Sequence, residues 1–513
     1  MNIGISVGHH ARRHPAHRAV EEDGGRSLTY ADLETRSNRL AHYLTEVAGI
    51  RAGDRVGYLL YNRLEVVELL VACAKLGVIA APMNFRLTEP DLRAIFGNAG
   101  VRLVVTQQDF AGLVRALAAE LGFGVLLADE EDEEYVQATG SGSATPPASL
   151  LSTASSADAL IQYTSGTTGR PKGATFTHDA VLMHAANVAL EYAIDPSSRV
   201  LLSIPHNSAT NIQTIPALYV GATLVLGDVR AFDGEAWLER VNRLGVTHSQ
   251  VVPTMLYRVL EVARQSGQAI STMRRLGYGS APIPPERVRD LVEVFGNIFI
   301  QLYGMIEVGA IGTMLRPEDH ARALDGEPGL LASIGQPSYG IDVRVSAPSG
   351  DLLDFNGRGE VVFKGPYVMR GYWNEPELTK QAIRDGWMHS GDVAEIRDGL
   401  FHLVDRIKDI IIRGGQNIAS KEVEEALYHH PAVMEAAVIG VPSAEWGEDI
   451  VAVVVLRPGE QASAEQIRAA ALASGLTRFK CPVRIDFEPE LPRNAIGKIQ
   501  KQKLRSRYAA PVA

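Results

Sequence analysis

Short apolar runs alternate with stretches of amphipathic spacing along this chain, and the alternation comes in two rounds before its character changes. From Leu28-Thr-Tyr-Ala-Asp-Leu to Leu44 the apolar positions fall at helical spacing and predict a helix. Arg55-Val-Gly-Tyr-Leu-Leu predicts a strand, Glu65 to Leu76 a helix, and Val78-Ile-Ala-Ala-Pro a second strand. Thr88-Glu-Pro-Asp sets a capping hydroxyl before acids and marks a helix start; Val101-Arg-Leu-Val-Val is a strand again. The second round has strands at Val200-Leu-Leu-Ser-Ile, Ala222-Thr-Leu-Val-Leu, Thr247 to Val252, Arg275-Leu-Gly-Tyr and Ile298-Phe-Ile-Gln-Leu. Its helices are Ala236 to Leu244, Thr254 to Ala263 and Glu286 to Phe295. Such alternation predicts an α/β fold, with a large N-terminal domain of two βα-layered, parallel-type sheets and right-handed crossovers.

From Ser333 to Asp405 the pattern shortens to β-rich runs, Asp342-Val-Arg-Val, Gly359-Glu-Val-Val-Phe and Leu400-Phe-His-Leu-Val, split by Gly, Pro and Asn turns. This predicts a small barrel-like subdomain. Beyond Lys408 a helix near Lys421 to Leu427 and strands at Ala436-Ala-Val-Ile and Val451-Ala-Val-Val-Val predict a small α+β domain. The boundary falls at Asp405–Asp409, giving domains 1–405 and 406–513.

Composition narrows the class. At 513 residues the chain has room for about three packing units. Its 46% hydrophobic and 21% charged residues fit a globular enzyme. A net charge of −10 argues against a nucleic-acid surface. Cys73 and Cys481 stand far apart, so neither a disulfide framework nor a thiolate metal site is expected, and a reduced, cytoplasmic setting is the simple reading. Met1-Asn-Ile-Gly-Ile-Ser has no signal-peptide pattern. No apolar run reaches the roughly 18 residues a membrane span needs. The acidic run Asp129 to Glu134 reads as a solvated face or loop.

The densest chemistry lies in Tyr163-Thr-Ser-Gly-Thr-Thr-Gly-Arg-Pro-Lys-Gly-Ala174. Thr164, Ser165, Thr167 and Thr168 offer hydroxyls, Gly166, Gly169 and Gly173 free the backbone N–H groups, and Lys172 adds a charge. That set suits a polyphosphate. The common P-loop needs Gly, four residues, then Gly-Lys-Ser/Thr; here the residue before Lys172 is Pro171 and the one after is Gly173, so that motif is excluded.

The segment resembles the phosphate loop of the adenylate-forming superfamily, which includes acyl-CoA synthetases, luciferases and peptide-synthetase adenylation domains. The resemblance extends over essentially the whole chain. It implies ATP, bound as AMP in the intermediate, together with Mg²⁺ and coenzyme A. Tyr303-Gly-Met-Ile-Glu307 resembles the family's Tyr-Gly-x-Thr-Glu. There Tyr303 and Gly304 would pack on the base, Ser280, Ala281 and Pro282 would be further cofactor-binding positions, and Glu307 would hold the metal. Ile306 stands where the family has threonine, and an isoleucine donates no hydrogen bond to the α-phosphate region. Asp392 in His389-Ser-Gly-Asp392 and Arg406 in Asp405-Arg-Ile-Lys-Asp409 resemble the ribose-gripping pair, with Lys408 at the hinge. Gly414 and Gly415 resemble the turn past which the pantetheine arm runs. Trp446, Phe479 and Lys480 resemble further cofactor contacts. Pro492-Arg-Asn-Ala-Ile-Gly-Lys498 carries the signature lysine, implied to bridge the attacking carboxylate and the α-phosphate.

His206 in Ile204-Pro-His-Asn-Ser208 falls near the implied acyl pocket and thiol tunnel, with a core histidine as the competing reading. No aspartate occurs at 206–213, which disfavours an amino-acid substrate. The resemblance implies an acyl-CoA synthetase; the small side chains of Asn207-Ser-Ala-Thr-Asn211 and Tyr278-Gly-Ser-Ala281 suggest a roomy, largely uncharged pocket and a medium-to-bulky, largely apolar carboxylic acid, and monomer and homodimer both stay open. Three other readings stand beside it. One is a ligase confined to thioesterification of a preformed acyl-adenylate, because of Ile306. The others are an acid:carrier-protein ligase and a non-catalytic nucleotide sensor.

Overall fold

The computed structural model describes residues 2–23, 25–129, 132–164, 171–281, 283–493 and 499–508. The chain packs as two compact units. The larger holds the chain up to 343 together with Phe363–Met388, and the smaller holds Arg344–Val362 and the chain from His389 onward.

Two sheets build the larger unit. The first runs in the order Gly371–Tyr372, Lys172–Thr177, Asp158–Thr164, Ile79–Pro82, Arg55–Leu59, Leu103–Thr106, Gly124–Leu127. Asp158–Thr164 and the four strands after it are parallel, whereas Lys172–Thr177 and Gly371–Tyr372 are added antiparallel. The second sheet runs Gln336–Pro337, Thr313–Leu315, Phe299–Tyr303, Arg275–Gly279, His248–Val251, Arg199–Leu202, Thr223–Leu226, Arg18–Glu22, Ser27–Thr29. Strands in the interiors of these sheets are short, buried on both faces and mostly apolar because helices cover each side, although His248–Val251 buries His248, Ser249 and Gln250. The alternation in the sequence located these strands and their helices. It did not show that Arg18–Glu22, from the start of the chain, lies parallel to Thr223–Leu226 in the second sheet.

Local chemistry explains the helix boundaries. Thr29 caps the helix Tyr30–Glu46, and Thr88 caps Glu89–Ala99; each closes a capping box, with Asp32 and Asp91 respectively. Helix Leu64–Leu76 is apolar nearly all round, so every residue of it is buried, and it stops at Gly77 in the left-handed region. Helices Ile3–Arg13, Gln108–Leu121 and His178–Tyr192 add to those the spacing predicts. Within the acidic run, Asp129 accepts from the Gln108 N–H at 2.7 Å and pairs with Arg63 at 2.9 Å. Asp132 caps the helix Glu133–Gly140.

Strands Asp342–Ser346, Gly357–Lys364 and Trp387–Arg397 each carry the chain from one unit into the other. In the smaller unit a five-stranded sheet runs Gln416–Ile418, Ile411–Arg413, Gly447–Leu456, Val433–Ser443, with Arg484–Phe487 parallel to Gly447–Leu456. Alternate residues of one strand feed two cores. Ala436 and Val438 pack with Ile467 and Val423, while Ala437 and Ile439 pack with Leu504.

Candidate active site

Strands Asp158–Thr164 and Lys172–Thr177 form an antiparallel hairpin whose last pair is Thr164 and Lys172. These two half-buried residues stand at either end of the hydroxyl- and glycine-rich loop. Ser165, Gly166, Thr167, Thr168 and Gly169 lie outside the described residues, as do Pro282 and Lys498. Gly173 is required by close packing: a Cβ there would fall 2.7 Å from Ile161 and 3.0 Å from the Tyr163 ring.

Gly371–Tyr372 adds to the same hairpin, with Tyr372 opposite Ala174 and the Trp373 N–H donating to the Gly173 carbonyl at 2.7 Å. This pairing sets the Lys172 Nζ 5.3 Å from the centre of the Tyr372 ring. The Tyr372 hydroxyl donates to Glu307 Oε1 at 2.7 Å. Burial first, then the Glu307 charge, push that phenol far above its usual range, so it remains a donor. Sequence reasoning missed Tyr372. It lies 65 residues from Glu307 along the chain, and a Gly-Tyr-Trp run after a β-rich segment gives no local sign of the contact.

Glu307 itself is 5% exposed. It sits in a single 3₁₀ turn, Ile306–Val308, just beyond the strand Phe299–Tyr303. Gly304 permits the turn to fold back, since a Cβ there would lie 2.7 Å from the Ala310 backbone. Ala310 then takes φ +75°, a strained value for a residue with a side chain. The Tyr303 ring lies 6.3 Å from that of Phe363, centre to centre. Ile306 opens the turn, half-buried, with an apolar side chain. Among the described residues no group of three or more His, Cys, Asp or Glu could cage a metal. A lone buried carboxylate with one oxygen held by a phenol does suit Mg²⁺, which takes one or two protein carboxylates and shares the rest with phosphates.

Two further parts belong to this unit. Strand Arg275–Gly279 ends at Ser280, which has φ +71°, and both Ser280 and Ala281 are exposed. His206 begins the helix His206–Ala209, which runs into a π-turn, Thr210–Thr214. Its ring stacks on Tyr58 at 5.2 Å, and Nε2 lies 3.2 Å from the Leu60 carbonyl. Burial pushes its pKa down to about 3, so the ring is neutral. His206 is thus core-packed, as the competing reading expects, and leaves Nδ1 without a partner among the described residues. No charged side chain occurs from Ile204 to Ile215 besides this neutral imidazole.

The smaller unit carries the other candidates. Asp392 and Arg406 are cross-strand partners, with Arg406 Nε 3.2 Å from Asp392 Oδ1. Lys408 lies in the 3₁₀ turn Ile407–Asp409, where burial and then the Arg406 charge lower its pKa. Gly414 and Gly415 occupy the left-handed region at φ +55° and +77°. A Cβ on Gly414 would meet Trp446 at 3.0 Å and Phe479 at 3.4 Å, whereas nothing lies within 4 Å of one on Gly415. Trp446 is 37% exposed and meets Phe479 edge to face, 5.8 Å apart. Lys480 is held by Glu422 at 2.6 Å.

The family model for AMP-binding enzymes matches residues 7–373, and that for the AMP-binding enzyme C-terminal domain matches residues 422–498. A feruloyl-CoA synthase from Amycolatopsis sp is 38% identical over 505 residues, covering 97% of each chain. The fatty acid–[acyl-carrier-protein] ligase ScoC of Streptomyces coeruleorubidus is 33% identical, covering 97% of this chain and 95% of its own. Among solved structures, the o-succinylbenzoate CoA synthetase MenE of Bacillus subtilis, in complex with its acyl-adenylate intermediate, superposes with a TM-score of 0.85 at 27% identity. That superposition covers 98% of this chain and 97% of MenE.

Proposed function

Because the chain belongs to the AMP-binding enzyme family, we propose that it is an acyl-CoA synthetase for a medium-to-bulky, largely apolar carboxylic acid, of the aryl-substituted kind named for its 38%-identical relative. The reaction class is acid–thiol ligation through an acyl-adenylate. The observation that carries this reading is the line Lys172–Tyr372–Glu307. It sets a cation, a phenol donor and a buried carboxylate beside a loop rich in hydroxyls and glycines.

In the first step the acid's carboxylate oxygen attacks the α-phosphorus of ATP, and the bond to pyrophosphate breaks. Such transfers depend on positioning and charge neutralisation rather than covalent catalysis. Lys172, Thr164 and the loop hydroxyls hold the departing pyrophosphate. Glu307 would hold Mg²⁺, which supplies charge neutralisation at the phosphates. Tyr303 packs on the base, Asp392 and Arg406 take the ribose hydroxyls, and Lys498 bridges the carboxylate and α-phosphate. In the second step the thiol sulfur attacks the acyl carbonyl carbon, the thiol proton is lost, and AMP departs. Rotation about Lys408 exchanges Lys498 for the Gly415 turn between the steps.

Two variants of this reading have specific support. Ile306 removes a donor from the first step, which favours an enzyme slow in adenylation and competent in thioesterification. The likeness to ScoC favours a carrier-protein thiol as alternative acceptor. Both are tested by mass spectrometry on a pool of aryl and fatty acids. The pool is given once as free acids with Mg·ATP and once as synthetic acyl-adenylates, each with CoA or a phosphopantetheinylated carrier protein. Acyl-CoA from both forms supports the complete synthetase, and thioester from adenylates alone supports the restricted enzyme. Thioester on the carrier protein alone replaces CoA as acceptor, and absence of any thioester overturns the proposal.

A further inference from the structure

We propose that Arg413 is a positioning residue for thioester formation, and that its guanidinium holds the Gly414–Gly415 turn in the form the thiol needs. The inference rests on the reading, proposed above, that the Gly415 backbone is where the thiol cofactor passes. Arg413 reaches Phe479, Asp449 and Trp446. Its Nη1 donates to the Phe479 carbonyl at 2.6 Å, and its Nη2 lies 3.1 Å from Asp449 Oδ1. The guanidinium carbon stands 5.1 Å from the centre of the Phe479 ring and 5.5 Å from that of Trp446, so the cation lies between two aromatic groups. The residue is 9% exposed.

The next residue shows what this clamp controls. The Gly414 N–H donates to the Trp446 carbonyl at 2.7 Å, and a Cβ on Gly414 would fall 3.0 Å from the Trp446 ring. Gly415, one residue on, is bare. The turn therefore presents an open glycine while its shoulder is fixed from three directions: the strand carrying Asp449, the Trp446 loop and the 3₁₀ turn Arg478–Lys480. A planar fork is needed to reach the carbonyl and the carboxylate at once and still lie against both rings. A lysine's point charge satisfies only one of them.

The test uses full-length Arg413→Lys and Arg413→Gln, with Gly415→Val as reference. Thioester formation from synthetic acyl-adenylate and CoA is measured beside ATP–pyrophosphate exchange. Displacing a reacting group by about 1 Å costs on the order of 10²-fold, so Arg413→Lys is expected to lower kcat for thioester formation by about tenfold or more. The KM for CoA and the pyrophosphate exchange should stay within about threefold of wild type, against that 10²-fold scale. Rescue by lysine, or an equal fall in both half-reactions, overturns the inference and leaves Arg413 a structural clamp. If Gly415→Val itself forms thioester at the wild-type rate, the reading of the turn falls and the role of Arg413 with it. If Gly415→Val is impaired and neither Arg413 variant is, the inference alone fails.

Discussion

The Glu307 turn and the Gly415 turn are both short glycine-bounded bends at strand ends, yet they are built in opposite ways. Glu307 is buried and its carboxylate is held by Tyr372, a residue from a distant strand. Gly415 has no neighbour for a side chain, and the residues around it, such as Trp446, remain partly exposed. The contrast follows from what each would meet. A metal–polyphosphate group needs fixed charge in a site of low dielectric, where a preorganised carboxylate and its donor act strongly. A long, flexible thiol arm needs a surface it can slide along, and a bare backbone provides one at the cost of a left-handed glycine.

Breaking the first region should have the largest effect. Glu307→Gln keeps the volume and removes the charge. Pyrophosphate exchange is expected to fall by about 10²–10³-fold, with thioester formation from synthetic adenylate reduced far less. A parallel loss in both assays would erase the distinction between the regions. Next in size is Gly415→Val. A β-branched residue at φ +77° meets local strain and fills the open path, so thioester formation should drop by about 10²-fold while exchange persists. Ile306→Thr should act in the opposite direction on the first region. Restoring a hydroxyl at the start of the turn is expected to raise pyrophosphate exchange by about tenfold and leave the second half-reaction unchanged. No gain would show that the isoleucine is tolerated.

The smallest effect near neutral pH is on stability, and it also separates the two units. His178, His184, His206 and His248 all belong to the larger unit and are at most 3% exposed. Burial lowers three of them to about 4 and His206 to about 3. Unfolded, each binds a proton near its ordinary value of 6.5; folded, each binds one only well below that. The unfolded chain therefore carries more protons between these values, and stability falls as pH drops from 6.5 toward 4. Each histidine contributes about 1.4 kcal/mol for each pH unit fully inside the window. Differential scanning calorimetry should show the larger unit unfolding first in acid, and a transition insensitive to pH over 4–6.5 would contradict these assignments.

Much of this architecture was legible in the chain. Runs such as Val451-Ala-Val-Val-Val can only be buried strands, and Thr88 followed by Asp91 announces a helix by the hydrogen bonds it will make. Motifs single out Asp392 and Arg406, and the fold makes them cross-strand neighbours. Pairing between remote segments was not legible. Nothing local tells Arg18–Glu22 to seek Thr223–Leu226, or Tyr372 to reach Glu307, because such choices depend on sheet order and on which polar groups remain to be satisfied. The π-turn after His206 was equally hidden, since Thr210–Thr214 has no breaker residue to mark it. No motif in the sequence singles out Arg413; the positions of Trp446, Phe479 and Asp449 give it meaning.

The division of labour between the two turns is tested most directly by stopping the reaction between the steps. Gly415→Val would be mixed with an accepted acid, Mg·ATP and CoA, quenched within a single turnover, and the products separated by mass spectrometry. The account predicts acyl-adenylate and pyrophosphate formed at close to the wild-type rate, with thioester nearly absent. Thioester appearing at the wild-type rate, or loss of the adenylate along with it, would contradict the assignment of the two regions to two half-reactions.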